Sequence, residues 1–213
     1  PSLVAGTDAL ADTCFGAVSV IRDDGQVKTY AGTGAGLYQL SSTETWTDFT
    51  RLVGGAYATG AGDRWNFEAF GSNLIAVNGT DVPQVVDADS GANFAALAGS
   101  PPVAKYIAVI REFVFLGGLA GNEKRVKWCA NGDIEEWTDG TGESDFQDIP
   151  NGGPVRGLIG GETGYTFQAN RVTRMTYDAG SDLIFRFDEV EGGVGLSGPH
   201  SLVRLRNDAF YLA

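Results

Sequence analysis

Four short apolar strands separated by turns, recurring at an interval of roughly 46 residues, constrain this chain more than any other feature. The recurrence is easiest to see in a triplet. Trp-Thr-Asp occurs in ETWTDFT at 44–50 and again in EEWTDGT at 135–141, 91 residues later. The third unit reads KYIAVI, EFVFLGG, RVKWCANG and IEEWTDG. The fourth reads VRGLIGG, TGYTFQAN, RVTRMTYDAG and LIFRFDEV. The second offers WNFEAFG, NLIAVNG, VPQVVDADSG and NFAAL, and the first CFGAVSVIRDDG, QVKTYAG, GLYQLSS and TWTDFTRL. A fifth unit starts as HSLVRLRND and AFYLA. Aromatic landmarks assigned to the fourth strand of each unit are Trp46, Phe94, Trp137 and Phe185, spaced by 48, 43 and 48 residues. The triplets therefore stand two units apart.

Four strands per unit at this period is the signature of β-propeller blades. The expected fold is all-β, a propeller of four-stranded antiparallel blades, with about four complete blades and the start of a fifth. A lead-in segment covers 1–11, and the propeller 12–213. Its blades fall at about 12–58, 64–102, 103–152 and 154–197, with a partial blade at 198–213. Expected strands include 26–30, 37–40, 73–77, 84–86, 106–110, 113–116, 125–129, 165–168, 172–177, 183–187, 202–205 and 209–212. Each second strand should be apolar throughout because both its faces are covered, as Leu74-Ile75-Ala76-Val77 and Phe113-Val114-Phe115-Leu116 are. Outermost strands should alternate, as in Phe185-Arg186-Phe187-Asp188. The chain holds 31 glycines among 213 residues, about double the usual share of about 7%, which suits many tight turns. No stretch of 12 or more residues carries a convincing helical period. The main rival folds, an eight-strand sandwich and a two-sheet jelly roll, need no regular beat. The apolar ending Phe210-Tyr211-Leu212-Ala213 reads as a central strand without its followers, so a longer protein is expected.

Charge and composition narrow the function classes. Net charge is −12, whereas nucleic-acid binders carry basic patches that release counterions. The one small basic cluster is Lys124, Arg125 and Lys127, expected on a solvated hairpin. No apolar run approaches the roughly 18–20 residues of a spanning helix. Cys14 and Cys129 make no disulfide framework and read as free thiols, and His200 is the single histidine, so a structural zinc site is not expected.

A propeller can be an enzyme, and glycosidases use two carboxylates flanking the scissile bond. Candidate acids are Glu135, Glu136, Asp145, Asp148, Asp188, Glu189 and Glu191, all in outer strands or their turns, where solvated acidic faces are usual. The stretch around Asp23-Asp24-Gly25 departs from the spacing of a sialidase Asp-box. Gly32-Thr33-Gly34-Ala35-Gly36 lacks the offset and helix of a dinucleotide site. Asp87-Ala88-Asp89-Ser90-Gly91 has no bidentate acid to complete a calcium loop. Asn78-Gly79-Thr80 reads as a hairpin turn ahead of a glycosylation acceptor. No catalytic, cofactor-binding or metal-ligating residue is assigned, no cofactor is expected, and the chain is not read as an enzyme.

Several phrases resemble a phage family: GDRWNFEAFGSNLIAVNGTDVPQ at 62–84, VKWCANGDIEEWT at 126–138, SDFQDIPNGGPVRGLIGGE at 144–162 and FQANRVTRMTYDAG at 167–180. They are similar to β-propeller virion proteins of short-tailed phages, namely packaged-DNA stabilisation proteins and tail hub or nozzle proteins. The likeness runs from about Thr7 onward, and its motifs are structural. Where such proteins often have Ser after the Trp of VKW, this chain has Cys129. The resemblance implies a structural virion component of the tail or head–tail junction, assembled in the host cytoplasm. It would form a homo-oligomeric ring with other tail or portal subunits, help close the portal, and serve DNA ejection by passing double-stranded DNA without tight binding. The alternative is a carbohydrate-binding or glycoside-hydrolysing propeller on a tail or cell surface. A hydrolase of that kind should gather carboxylates and arginines at one mouth of the ring, and a binding module should expose aromatics there.

Overall fold

The computed structural model describes residues 8–205 and 208–213; the first seven residues of the expected lead-in lie outside the described residues. The fold is all-β and propeller-like, with four four-stranded antiparallel sheets in chain order. Sheet one holds β1 (Gly16–Ile21), β2 (Val27–Gly32), β3 (Leu37–Leu40) and β4 (Trp46–Asp48). Sheet two holds β5 (Asn66–Phe70), β6 (Asn73–Val77), β7 (Gln84–Asp87) and β8 (Ala95–Ala96). Sheet three holds β9 (Ala104–Ile110), β10 (Phe113–Leu119), β11 (Asn122–Trp128) and β12 (Asp145–Asp148). Sheet four holds β13 (Val155–Ile159), β14 (Thr163–Gln168), β15 (Arg171–Tyr177) and β16 (Phe185–Gly192). A hairpin of β17 (Val203–Leu205) and β18 (Asp208–Phe210) follows. One 3-10 turn, Pro150–Gly152, is the helical element among the described residues.

In every sheet the strands lie side by side in sequence order. The first strands β1, β5, β9 and β13 contact one another in succession, so each sheet runs outward from a shared axis. The second strands show why the sequence folds this way. Leu74 and Ala76 of β6 join the core shared with sheet one, where Tyr30 and Phe94 meet edge-on at 5.7 Å. Ile75 and Val77 turn to the core shared with sheet three. Strand β10 repeats the arrangement: Val114 and Leu116 face sheet two, while Phe113 and Phe115 face sheet four. Period-two side chains can fill two cores only from a strand sandwiched on both faces. Each such side chain contributes about 1.5–3 kcal/mol when taken fully out of water. Among the described residues a fourth core, around Phe167, Val172 and Leu196, joins sheet four to Leu202 and Tyr211 beside the last hairpin.

Two glycines mark where sheets approach too closely for a side chain. A Cβ on Gly32 would lie 2.2 Å from the Trp65 ring, whose indole N–H donates to the Thr33 carbonyl at 2.8 Å. One on Gly160 would lie 1.9 Å from the Val109 carbonyl oxygen. The sheets therefore interlock through backbone as well as through side chains.

Several expectations need correction. Trp137 is not in a fourth strand; that strand is β12 at Asp145–Asp148. After β11 the chain doubles back through a bridge between Ala130 and Asp133 and folds Trp137 inward, 3% exposed, against Ile75, Val77 and Leu97. Trp46 opens β4 and is half-buried, so the repeated triplet occupies two different places. Phe94 immediately precedes β8, and Phe185 opens β16. The last strand covers Asp208–Phe210 instead of 209–212, and β16 starts two residues later than expected and runs on to Gly192.

Candidate functional site at the axial mouth

The first strand of each sheet is an edge, with one side unpaired within its own sheet. Unpaired backbone groups must find partners or water, and polar side chains from neighbouring sheets supply some of them. Asn66 on β5 donates from Nδ2 to the Lys105 carbonyl of β9 at 2.8 Å. Arg156 on β13 donates from Nη1 to the carbonyls of Leu196 and Ser197, both at 2.9 Å. Arg204 on β17 donates from Nη1 to the Gly160 carbonyl at 2.6 Å. These side chains border a cleft of about 160 Å³, with Glu68, Tyr106 and His200 completing its polar wall. Glu68 also borders a second groove, about 340 Å³, between β1 and β5.

The electrostatics of the mouth follow from burial. Desolvation raises the Glu68 carboxyl above its ordinary value, while the charge of Arg204 and the backbone amides of Ala69 and Val109 pull it back. The Tyr106 hydroxyl is pushed to about 12, chiefly by burial. Burial also lowers His200, aided by the charge of Arg64, so its imidazole is neutral at pH 7. The Tyr106 and His200 rings lie 6.0 Å apart at an angle of 48°.

The acids singled out from the sequence are not brought together here. Asp148 is gripped by Arg125 through Nε at 2.7 Å and Nη2 at 2.9 Å, which holds its carboxyl below the usual range. Asp188 is lowered by Arg186 and then by Arg174. Glu189 pairs with Arg171 at 2.6 Å, and Glu136 is lowered by the Thr138 amide. Asp145 sits on β12, Glu135 lies in the β11–β12 connection, and the side chain of Glu191 lies outside the described part. Among the described residues no three His, Cys, Asp or Glu side chains are placed to hold a metal. No described helix is long and apolar enough to cross a membrane. Cys14 is exposed and Cys129 buried, and both are free. Burial pushes the Cys129 thiol to about 11, and its sulfur accepts from the Val114 amide at 3.1 Å.

The turn readings also have structural correlates. Thr33 closes the β2–β3 hairpin, accepting from the Gly36 amide at 3.0 Å. Asp87 caps its own turn by accepting from the Asp89 amide at 2.9 Å. Asn78 is 1% exposed and accepts from the Thr80 and Asp81 amides, so its side chain is inaccessible to glycosylation. The group missed in the sequence was Glu68. A charged residue between Phe67 and Ala69 of the first strand WNFEAFG was the available signal.

No protein-family model matches this chain, and no curated protein sequence matches it. A solved structure does: the extracellular domain of BT4673, assigned to a one component system, from B. thetaiotaomicron. The TM-score is 0.60 at 11% identity, covering 91% of this chain and 24% of the other. The chain thus spans about a quarter of the length of the solved chain it matches. At that identity the similarity concerns the fold alone, and the class is an all-β, propeller-like domain.

Proposed function

We propose that this chain is a structural subunit of a short-tailed phage virion, in the tail or at the head–tail junction. In a hub, nozzle or DNA-stabilising role, it helps close the portal and conduct DNA as part of a ring of identical subunits joined to other tail or portal proteins. The observation that carries the reading is where the phage-like phrases fall. The phrase at 62–84 brings Trp65 and the doubly buried β6, and that at 126–138 brings Trp128 and Trp137. The phrase at 144–162 brings Gly160, and that at 167–180 brings Met175. These residues make sheet-to-sheet contacts, and a resemblance concentrated there supports a scaffold. The axial cleft holds a single carboxylate restrained by an arginine, where paired acids are the usual requirement for glycoside hydrolysis. The carbohydrate-binding alternative is favoured by one feature, the meeting of Glu68, Arg156 and Arg204 at that mouth.

A conduit for DNA should not hold it. With net charge −12, repulsion of the duplex reaches about 8–10 Å at physiological salt. The basic cluster, on β11, offers little to phosphates: Arg125 is committed to Asp148 and Lys127 to Asp139. In a gel-shift titration at about 0.1 M salt, the protein is expected to leave double-stranded DNA unshifted. A shift at low-micromolar protein would overturn the conduit reading.

A further inference from the structure

The axial cleft differs in kind from the cores between the sheets. Its volume, about 160 Å³, suits one six-membered ring, since a cavity of about 150 Å³ takes up benzene. Its wall sets Asn66, Glu68, Arg156 and Arg204 among Ile107, Leu158 and Leu202, where the inter-sheet cores are built of apolar side chains. Tyr106 is 7% exposed and lines the cleft beside His200. The tilted Tyr106 and His200 rings give an aromatic corner against which the C–H face of a sugar can rest.

The charges specify the ligand further. Arg156 and Arg204 border the cleft together with Glu68, and the imidazole is neutral. Arg156 uses only Nη1 on the Leu196 and Ser197 carbonyls. Its Nε and Nη2 edge retains the parallel donors that grip a carboxylate bidentately. Glu68 is available to accept from a hydroxyl.

We propose that this cleft binds a pyranose bearing a carboxylate, a uronic-acid-type sugar, as a function additional to the structural role. Titration calorimetry with D-galacturonate is expected to show saturable binding, with D-galactose at least about tenfold weaker for want of the carboxylate. Acetate, which lacks the ring, should not saturate in the same range. The methyl glycoside mimics a chain-linked unit: either form supports the assignment, and the tighter one names the source. Glu68→Gln removes the opposing charge and should tighten galacturonate about threefold or more relative to galactose. Arg156→Lys keeps the charge but loses the fork, and should weaken galacturonate about tenfold. Should Arg156→Lys fail to fold, the Glu68→Gln result decides. Absence of saturable binding up to about 50 mM, equal affinity for galactose, or no response to Glu68→Gln would each overturn the proposal. None of these failures bears on the virion reading.

Discussion

Replacing Trp128 with alanine is expected to remove about 3–5 kcal/mol of folding stability, the range for deleting a buried aromatic. The ring is 1% exposed in the core between sheets three and four. It stacks on Phe115 at 5.2 Å and meets Phe185 edge-on at the same separation. Its indole N–H donates to the Glu143 carbonyl at 2.8 Å, so truncation opens a cavity and also strands an acceptor. Domain stability is ordinarily about 5–15 kcal/mol, so the urea midpoint should fall by a large fraction of its value. Trp46→Ala is the control. That ring is half-buried, and its loss should cost under about 2 kcal/mol. Urea titrations followed by circular dichroism separate the two, and equal midpoints would refute the assignment of Trp128 to a central core.

Gly32→Ala should cost about 1–3 kcal/mol through overpacking, because the new Cβ would lie 2.2 Å from Cδ1 of Trp65. The Trp65 ring is fixed by its bond to the Thr33 carbonyl and by edge contact with Tyr57 at 5.0 Å, so it has little room to give way. The same change at Gly91, where a Cβ meets nothing within 4 Å, should be neutral to within about 0.5 kcal/mol. A double-mutant cycle sharpens the test. In a Trp65→Ala background the Gly32→Ala penalty should vanish, giving a coupling energy of about 1 kcal/mol or more. Additive penalties would show that the two residues do not meet.

The blade pattern was legible because doubly buried strands must be apolar throughout, and β10 and the Leu74–Val77 part of β6 are. Four strands per unit, bounded by glycine turns, then leave few architectures. The Trp-Thr-Asp repeat was the less secure guide. Three identical letters sit on β4 in one unit and in an inward-folded connection in another. What decides between them is the turn at 130–133, a short-range choice that the triplet does not encode. The axial mouth was hidden for a different reason. Glu68, Arg156 and Arg204 stand far apart in sequence, and each reads alone as a solvated position on a short strand. They meet because β5 and β13 both pack on β9 and Arg204 reaches the Gly160 carbonyl from β17, a convergence that belongs to the stacked sheets.

A virion subunit must be found on the particle. Immunogold electron microscopy of phage particles, with antibodies raised against this chain, tests the structural reading most directly. Label confined to the tail or to the single vertex where the tail joins the head is the expected result. Abundant protein in the lysate with purified particles left unlabelled would contradict it.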